Sequence, residues 1–273
     1  MAASRIGVVS VLLNPATSST SQLAEVIRET QPKLVVAVDA FWQGHILLET
    51  KKDLDKAVED AKVSSIKRIL VIRHTAPNPG VPPPDVMYPG RRPCYEIKLE
   101  LNEEIDVEWK DLVAKANTQC DPEWLHGDHP FAVLPKWNPS LQLRTITTRQ
   151  ILSSAAELAP LTVADCLSLA HPQTPLGLVG CVAVWLTGNV LAIFEGTLDH
   201  PDPSRLKQII KKFELKSAIL PKCDLDPEYM AMVPVPSLTR IITEVGNSGE
   251  IARSFSDVDI LEWDVEAALR GHE

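Results

Sequence analysis

Between Asp128 and Leu176 the chain contains no glycine. A backbone cradle for phosphate needs N–H groups that close around an oxygen, with positive φ at low cost and no Cβ in the way, so this stretch excludes a glycine-rich phosphate loop. Basic charge is also scarce. Lys plus Arg is 27 against 36 Asp plus Glu, for a net charge of −9. The basic pairs Lys51-Lys52 and Lys211-Lys212 are short and fall in helix-like segments, which argues against nucleic acid as a partner. No apolar run approaches the ~20 residues of a membrane span, so no membrane association is expected. The five cysteines are widely spaced, odd in number and without a C-x-x-C pair. That pattern excludes a disulfide framework and points to reduced thiols in the cytoplasm. The aromatic content is 5%; the six tryptophans are spread along the chain and read as core or turn packing rather than a stacking platform.

What is present is a chain of 273 residues with 45% hydrophobic composition, enough for a large core in one or two domains. Residues 6–13 form a β-branched run. It is preceded by the single charge Arg5 and could pass for a weak signal core, but the Asn14-Pro15 that follows fits a buried strand and its turn. "SSTSQLAEVIRET" then offers Ser or Thr caps ahead of Leu23, Val26 and Ile27 at helical spacing. Strands at 34–38 and 68–72 with a short helix at 53–62 between them complete a βαβαβ rhythm, which predicts a mostly parallel, buried sheet. Residues 76–93, "APNPGVPPPDVMYPGRRP", hold seven prolines and read as an exposed surface insertion, with a PxxP ligand as the sharper alternative. A second α/β set follows: strand 131–134, helix 149–158, strand 190–194, helix 203–214, and strands 215–220 and 238–243. The helix with Pro203 at its start is the best marked, because Leu206, Ile209, Ile210 and Phe213 make one apolar face.

Three stretches, taken in order and in register, resemble the acetyl-CoA synthetases of the adenylate-forming acyl-CoA synthetase superfamily. "RIGVVSV" with "LAEVIRETQPKLVVAVDAF" is similar to the family's strand, helix and P-K-V-V-I-T-x-D strand. "WKDLVAKANTQCDPEWLHGDHPFAVL" resembles W-H-E-L … C-x-P-E-W-x-x-x-x-D-P-L-F-I-L. "GNVLAIFEGTLDHPDPSRLKQIIKKFEL" resembles G-A-T-x-V-L-F-E-G-x-P-x-x-P-D-x-x-R. The resemblance implies an α/β fold, a mostly parallel sheet flanked by helices, corresponding to part of the large N-terminal domain of adenylate-forming enzymes. It also implies a single truncated AMP-binding-type domain over 1–273, with the insertion at 76–93 and without the small C-terminal domain.

The same resemblance shows what departs from the family. Its second stretch runs, in the family, directly into Y-T-S-G-[ST]-T-G-K-P-K-G; here Leu134 is followed by "PKWNPSLQLRT", with Lys136 at the wrong end and Pro135 and Pro139 removing N–H donors. The T-A-D-x-G-W segment falls on "AHPQTP", and T-A-P-T on "LPKCD". "SLTRIITEVGNSGEI" resembles S-L-x-x-L-G-T-V-G-E-P-I, whose G-E-P lines adenine. Either Gly246 with Asn247 and Ser248, or Gly249 with Glu250, could be a remnant of that adenine pocket; an ordinary strand-to-helix turn is the competing account. The family uses ATP and CoA; no cofactor and no catalytic residue is expected here. The expected function is that of a degenerate homologue without ligase activity, acting through nucleotide or partner binding. The alternative is an active acetate or short-chain acyl–CoA ligase completed by another chain. A protein partner or self-association is expected, through surface that absent segments would leave uncovered.

Cys120, His126, Asp128 and His129 form C-x5-H-x-D-H. Structural zinc sites show tighter pairs, so a polar turn ahead of a strand is preferred to a metal site. "GNSGE" lacks the second glycine position of a G-x-S-x-G nucleophile elbow, which argues against a hydrolase.

Overall fold

The computed structural model describes residues 2–75, 97–162, 166–168, 174–194, 196–198, 200, 202–223 and 225–271. The proline-rich stretch 76–93 and most of "AHPQTP" lie outside the described residues. In chain order the elements begin with α1 (Ala2–Arg5), β1 (Ser10–Val11), α2 (Thr20–Thr30), β2 (Leu34–Val38), β3 (Phe41–Gln43), β4 (Ile46–Leu48), α3 (Thr50–Ala61), β5 (Arg68–Ile72), β6 (Asp106–Glu108) and α4 (Trp109–Val113). They continue with β7 (Pro130–Trp137), β8 (Leu141–Thr147), α5 (Thr148–Leu158), β9 (Cys166–Ser168), α6 (Pro175–Leu186), β10 (Leu191–Ile193), α7 (Arg205–Phe213) and β11 (Ser217–Ile219). The last are α8 (Pro227–Ala231), β12 (Arg240–Glu244), α9 (Ser248–Ala252), β13 (Asp259–Trp263) and α10 (Val265–Arg270). The chain forms two compact units: a smaller one, Leu13–Asp121 with Trp137–Gln142, and a larger one, Met1–Leu12, Pro122–Lys136 and Leu143–Glu273.

In the smaller unit β2, β5 and β6 form a parallel sheet, with Leu34 opposite Arg68 and Ile69 opposite Asp106. Helix α2 begins on a reciprocal cap: the Gln22 N–H donates to Ser19 Oγ at 3.2 Å and the Ser19 N–H to Gln22 Oε1 at 2.9 Å. Its Leu23, Ala24 and Ile27 pack with Leu54 and Ala57 of α3 over Ile69 and Val71. Burying one such leucine or isoleucine contributes roughly 1.5–3 kcal/mol, against about 1 kcal/mol for a cap, so the apolar face holds the helix and the cap sets where it starts. The expectation of a sheet buried on both faces is corrected at β2. Val35 and Ala37 pack on the core, while Leu34 and Val36 are half exposed, the alternation of a strand with one solvated face.

The βαβαβ expectation needs a second correction. Only Ser10 and Val11 of the run 6–13 form strand, and they pair with Ala132 and Val133 of β7, not with β2. Ile6, Val8 and Val9 are exposed.

The larger unit is built on a five-stranded, all-parallel sheet in the order β10-β9-β11-β12-β13. Two apolar cores flank it, and the period-2 alternation of the strands feeds both. Ile219 and Ile242 point into the core made with α5, α6 and α10; Ala218, Leu220 and Ile241 point into the core made with α7, α8 and α9. Helix α6, "PLGLVGCVAVWL", is buried from Leu176 through Val184. It is apolar all round, as a helix enclosed on every side can be. An added Cβ at its Gly180 would sit 2.7 Å from Ile219 Cδ1 of β11, so the bare backbone there leaves room for the Ile219 side chain to pack against the helix.

Candidate functional site

The place where the family resemblance puts a phosphate loop is occupied by a hairpin. β7 does not end at Leu134. It buries Ala132 and Leu134, then continues through Pro135 and Lys136 to Trp137, and after the turn at residues 138–140, with a cis Asn138–Pro139 bond, the chain returns as β8 beside it. The expected loop from Pro135 is therefore corrected to strand. Pro135 is tolerated because β1 pairs only as far as Val133, with one further bond from the Leu12 N–H to Val133 O at 3.1 Å. Backbone N–H groups committed to a strand ladder point along the sheet and cannot converge on one anion. Lys136 is exposed. At the far end of the hairpin Thr147 caps α5, accepting from the Gln150 N–H at 3.2 Å, so both ends of the segment carry ordinary fold-forming roles.

The stretch Gly246, Asn247, Ser248, Gly249 and Glu250 lies at the carboxyl end of β12, where open parallel sheets place their ligands. Gly246 takes φ +92°, a left-handed conformation that favours glycine. That twist turns two donors the same way: the Gly246 and Ser248 N–H groups both donate to Glu262 Oε1, each at 3.0 Å. Glu262 comes from β13, the neighbouring strand, whose register with β12 sets Glu262 opposite Thr243. The Ser248 side chain and N–H, together with the Gly246 N–H, hold the Glu262 carboxyl below the usual glutamate range. The geometry is that of an anion-holding turn whose anion is the chain's own carboxylate. Gly249 and Glu250 sit in the first turn of α9 outside this contact, with open space around Gly249.

The C-x5-H-x-D-H candidates are engaged otherwise. Asp128 pairs with Arg149 at 3.0 Å and with His126 at 3.1 Å, and the Arg149 hydrogen bond holds its carboxyl low. His129 Nδ1 lies 2.9 Å from Pro130 O. Among the described residues no group of three or more His, Cys, Asp or Glu is placed to hold a metal ion.

A polar centre that the sequence patterns did not mark stands in the smaller unit. Asp39, fully buried at the end of β2, accepts from the N–H groups of Ala40, His74 and Thr75 and from Thr75 Oγ1. Nearby, Lys51 is buried and paired with Asp106 at 2.9 Å and with Asp55. The readable signal was the lone aspartate closing the apolar run "LVVAVDAF"; nothing local to the sequence marks Lys51, whose neighbour Lys52 is exposed.

Among known proteins, the likeness is plainest in the fold. The chain superposes on the structure of the luciferase-like enzyme from the nonluminescent Zophobas morio mealworm with a TM-score of 0.64 at 12% identity, covering 95% of this chain and 54% of that one. Parallel sheets flanked by helices, with a candidate site at their carboxyl edges, are the class of protein this chain represents. In sequence it is a distant homologue of the acetyl-CoA synthetases. It is 21% identical over 224 residues to the acetyl-coenzyme A synthetase of Photobacterium profundum, and 23% identical over 229 residues to that of Yersinia pestis. The match to the acetyl-coenzyme A synthetase of Methylobacillus flagellatus is 21% over 226 residues. These alignments cover 78–79% of this chain and 31% of the synthetases, so the chain spans about a third of the length of those relatives. No family model matches the chain. Among the described residues no helix is long and apolar enough to cross a membrane.

Proposed function

We propose that this chain is an acetyl-CoA-synthetase-like protein, corresponding to part of the large N-terminal domain of adenylate-forming enzymes, that does not form acyl adenylates and acts by binding a nucleotide or a partner in the cytoplasm. The observation that carries the proposal is the β7–β8 hairpin. Where the resemblance calls for a glycine-rich loop ending in lysine, the chain runs on as strand and turns back at residues 138–140, with Pro135 and Pro139 and no glycine. Transfer to a phosphoryl centre relies on donors fixed around the developing charge, and losing one such donor commonly costs ~10²–10³ in rate. A hairpin withdraws several at once. The Glu262 carboxylate in the 246–248 turn supports the same conclusion, because a ligand anion there would have to displace it.

The test is ATP–pyrophosphate exchange with acetate, propionate and butyrate on the purified chain. No exchange above an enzyme-free blank is expected. Exchange clearly above the blank with any of the three acids overturns the proposal.

A further inference from the structure

We propose that the open edge of the larger unit's five-stranded sheet, at β10, is a docking strand for an extended segment of a partner protein in which acidic and apolar residues alternate. This goes beyond the ligase question and holds whether or not the chain forms acyl adenylates.

Among the described residues β10 pairs with β9 on one side only, so the N–H and C=O groups of its outer side can take a further strand. Beside it, α7 and the strand enclose a cleft of ≈ 610 Å³ whose lining includes Val190, Ala192, Phe194, Arg205, Lys212 and Phe213. The alternation of β10 fixes what a guest strand meets. Ala192 and Phe194 pack on the α7 side and Leu191 on the opposite core, so Ile193, 63% exposed, shares the face of Leu191.

On the cleft side stand two cations. The Arg205 guanidinium lies 5.5 Å from the Phe194 ring centre, and its Nε is buried without a hydrogen-bond partner among the described residues. Lys212 Nζ lies 5.4 Å from the Phe213 ring centre. Among the described residues the carboxylate whose charge acts on Arg205 is Asp202, and its oxygens also accept from the Ser204 N–H and Oγ at 2.9 and 2.6 Å and from Gln208 Nε2 at 2.9 Å. Every second guest residue therefore faces these two cations beside aromatic rings, and the intervening ones face exposed Ile193. An acidic–apolar alternation satisfies both faces, and the cleft together with the edge selects a peptide in preference to a compact anion.

The experiment uses the full chain and a fluorescein-labelled octapeptide alternating glutamate and valine, read by fluorescence anisotropy. Three comparisons accompany it: the same peptide with lysine for glutamate, the same peptide N-methylated at alternate amides, and the Lys212→Glu variant of the protein, a substitution at an exposed position checked for folding by circular dichroism. Saturable binding is expected, weakened at least about fivefold by lysine for glutamate and by Lys212→Glu, and at least about tenfold by N-methylation on the edge-pairing side. Equal binding of the N-methylated peptides, displacement of the peptide by decanoate at matched affinity, or no binding below ~1 mM overturns the proposal. So does self-association of the chain that blocks the edge.

Discussion

At the scale of single residues the informative group is Glu262. It is one exposed carboxylate, yet it fixes two N–H donors that a strand-to-helix turn would otherwise leave to water or to a ligand. Because its folded pKa lies below the unfolded one, its contribution is fully present above the unfolded value and is lost as pH falls through the folded value. In an amide-resolved NMR titration the Gly246 and Ser248 N–H signals should move together, with a midpoint below the ordinary glutamate range, and Glu262→Gln should abolish that step. A step at or above the ordinary value would mean that the turn does not hold the carboxylate. Composition made Gly246 visible as a turn residue. It gave no hint of Glu262, which follows it by sixteen positions and reaches the turn only through the β12–β13 register.

Among elements, the join between α3 and β6 rests on a buried charge pair. Lys51 of α3 and Asp106 of β6 are each 1% exposed in their side chains, and Asp106 Oδ2 also accepts the Asn102 N–H at 2.8 Å. Taking one partner away leaves the other ion buried and uncompensated, at a cost of about 3–5 kcal/mol. Lys51→Met should therefore lower the denaturation free energy by that order, and Lys51→Met with Asp106→Leu should recover much of it. Urea titrations of the two variants and the parent read this directly; a double variant no more stable than the single one would show that the pair supplies more than mutual neutralisation. Elements with an amphipathic period were legible before the structure: α2, α3, α5 and α7 lie within a few residues of their expected places, and β2 and β5 at theirs. Helix α6 was not, because a helix enclosed on all sides has no polar face to give a 3.6-residue period. Nor were β8, whose apolar positions follow directly on the turn at 138–140, β9, which is three residues long, and β13, whose five residues include Asp259 and Glu262 in place of an apolar run.

On the scale of the whole molecule, charge and exposed apolar surface oppose each other. The net charge is −9 and the sequence pI is about 5.3, so self-repulsion is strong at neutral pH and vanishes in mild acid. In the larger unit Ile6, Val8, Trp124 and Leu125 are exposed, Trp124 by 98%, surface of the kind that drives association once repulsion is removed. Sedimentation velocity should show the average mass rising as pH is lowered from about 7.5 toward about 5.5 at fixed concentration, the range over which the net charge falls toward zero. An unchanged monomer across that range would show that these side chains do not form a contiguous patch.

The sequence by itself determined the α/β class, the strands and helices whose apolar periods are one-sided, the absence of phosphate-loop glycines after Leu134, and the resemblance to acetyl-CoA synthetases. These are properties of neighbours along the chain, set by side-chain period and backbone freedom. Only the tertiary structure decided that β1 pairs with β7, that the segment after Leu134 is a hairpin, that Glu262 fills the turn at Gly246, and that β10 stands at the sheet edge beside two cations. Each of these depends on which strands lie side by side. Strand order is fixed by the packing of residues distant in the chain, and no local pattern encodes it.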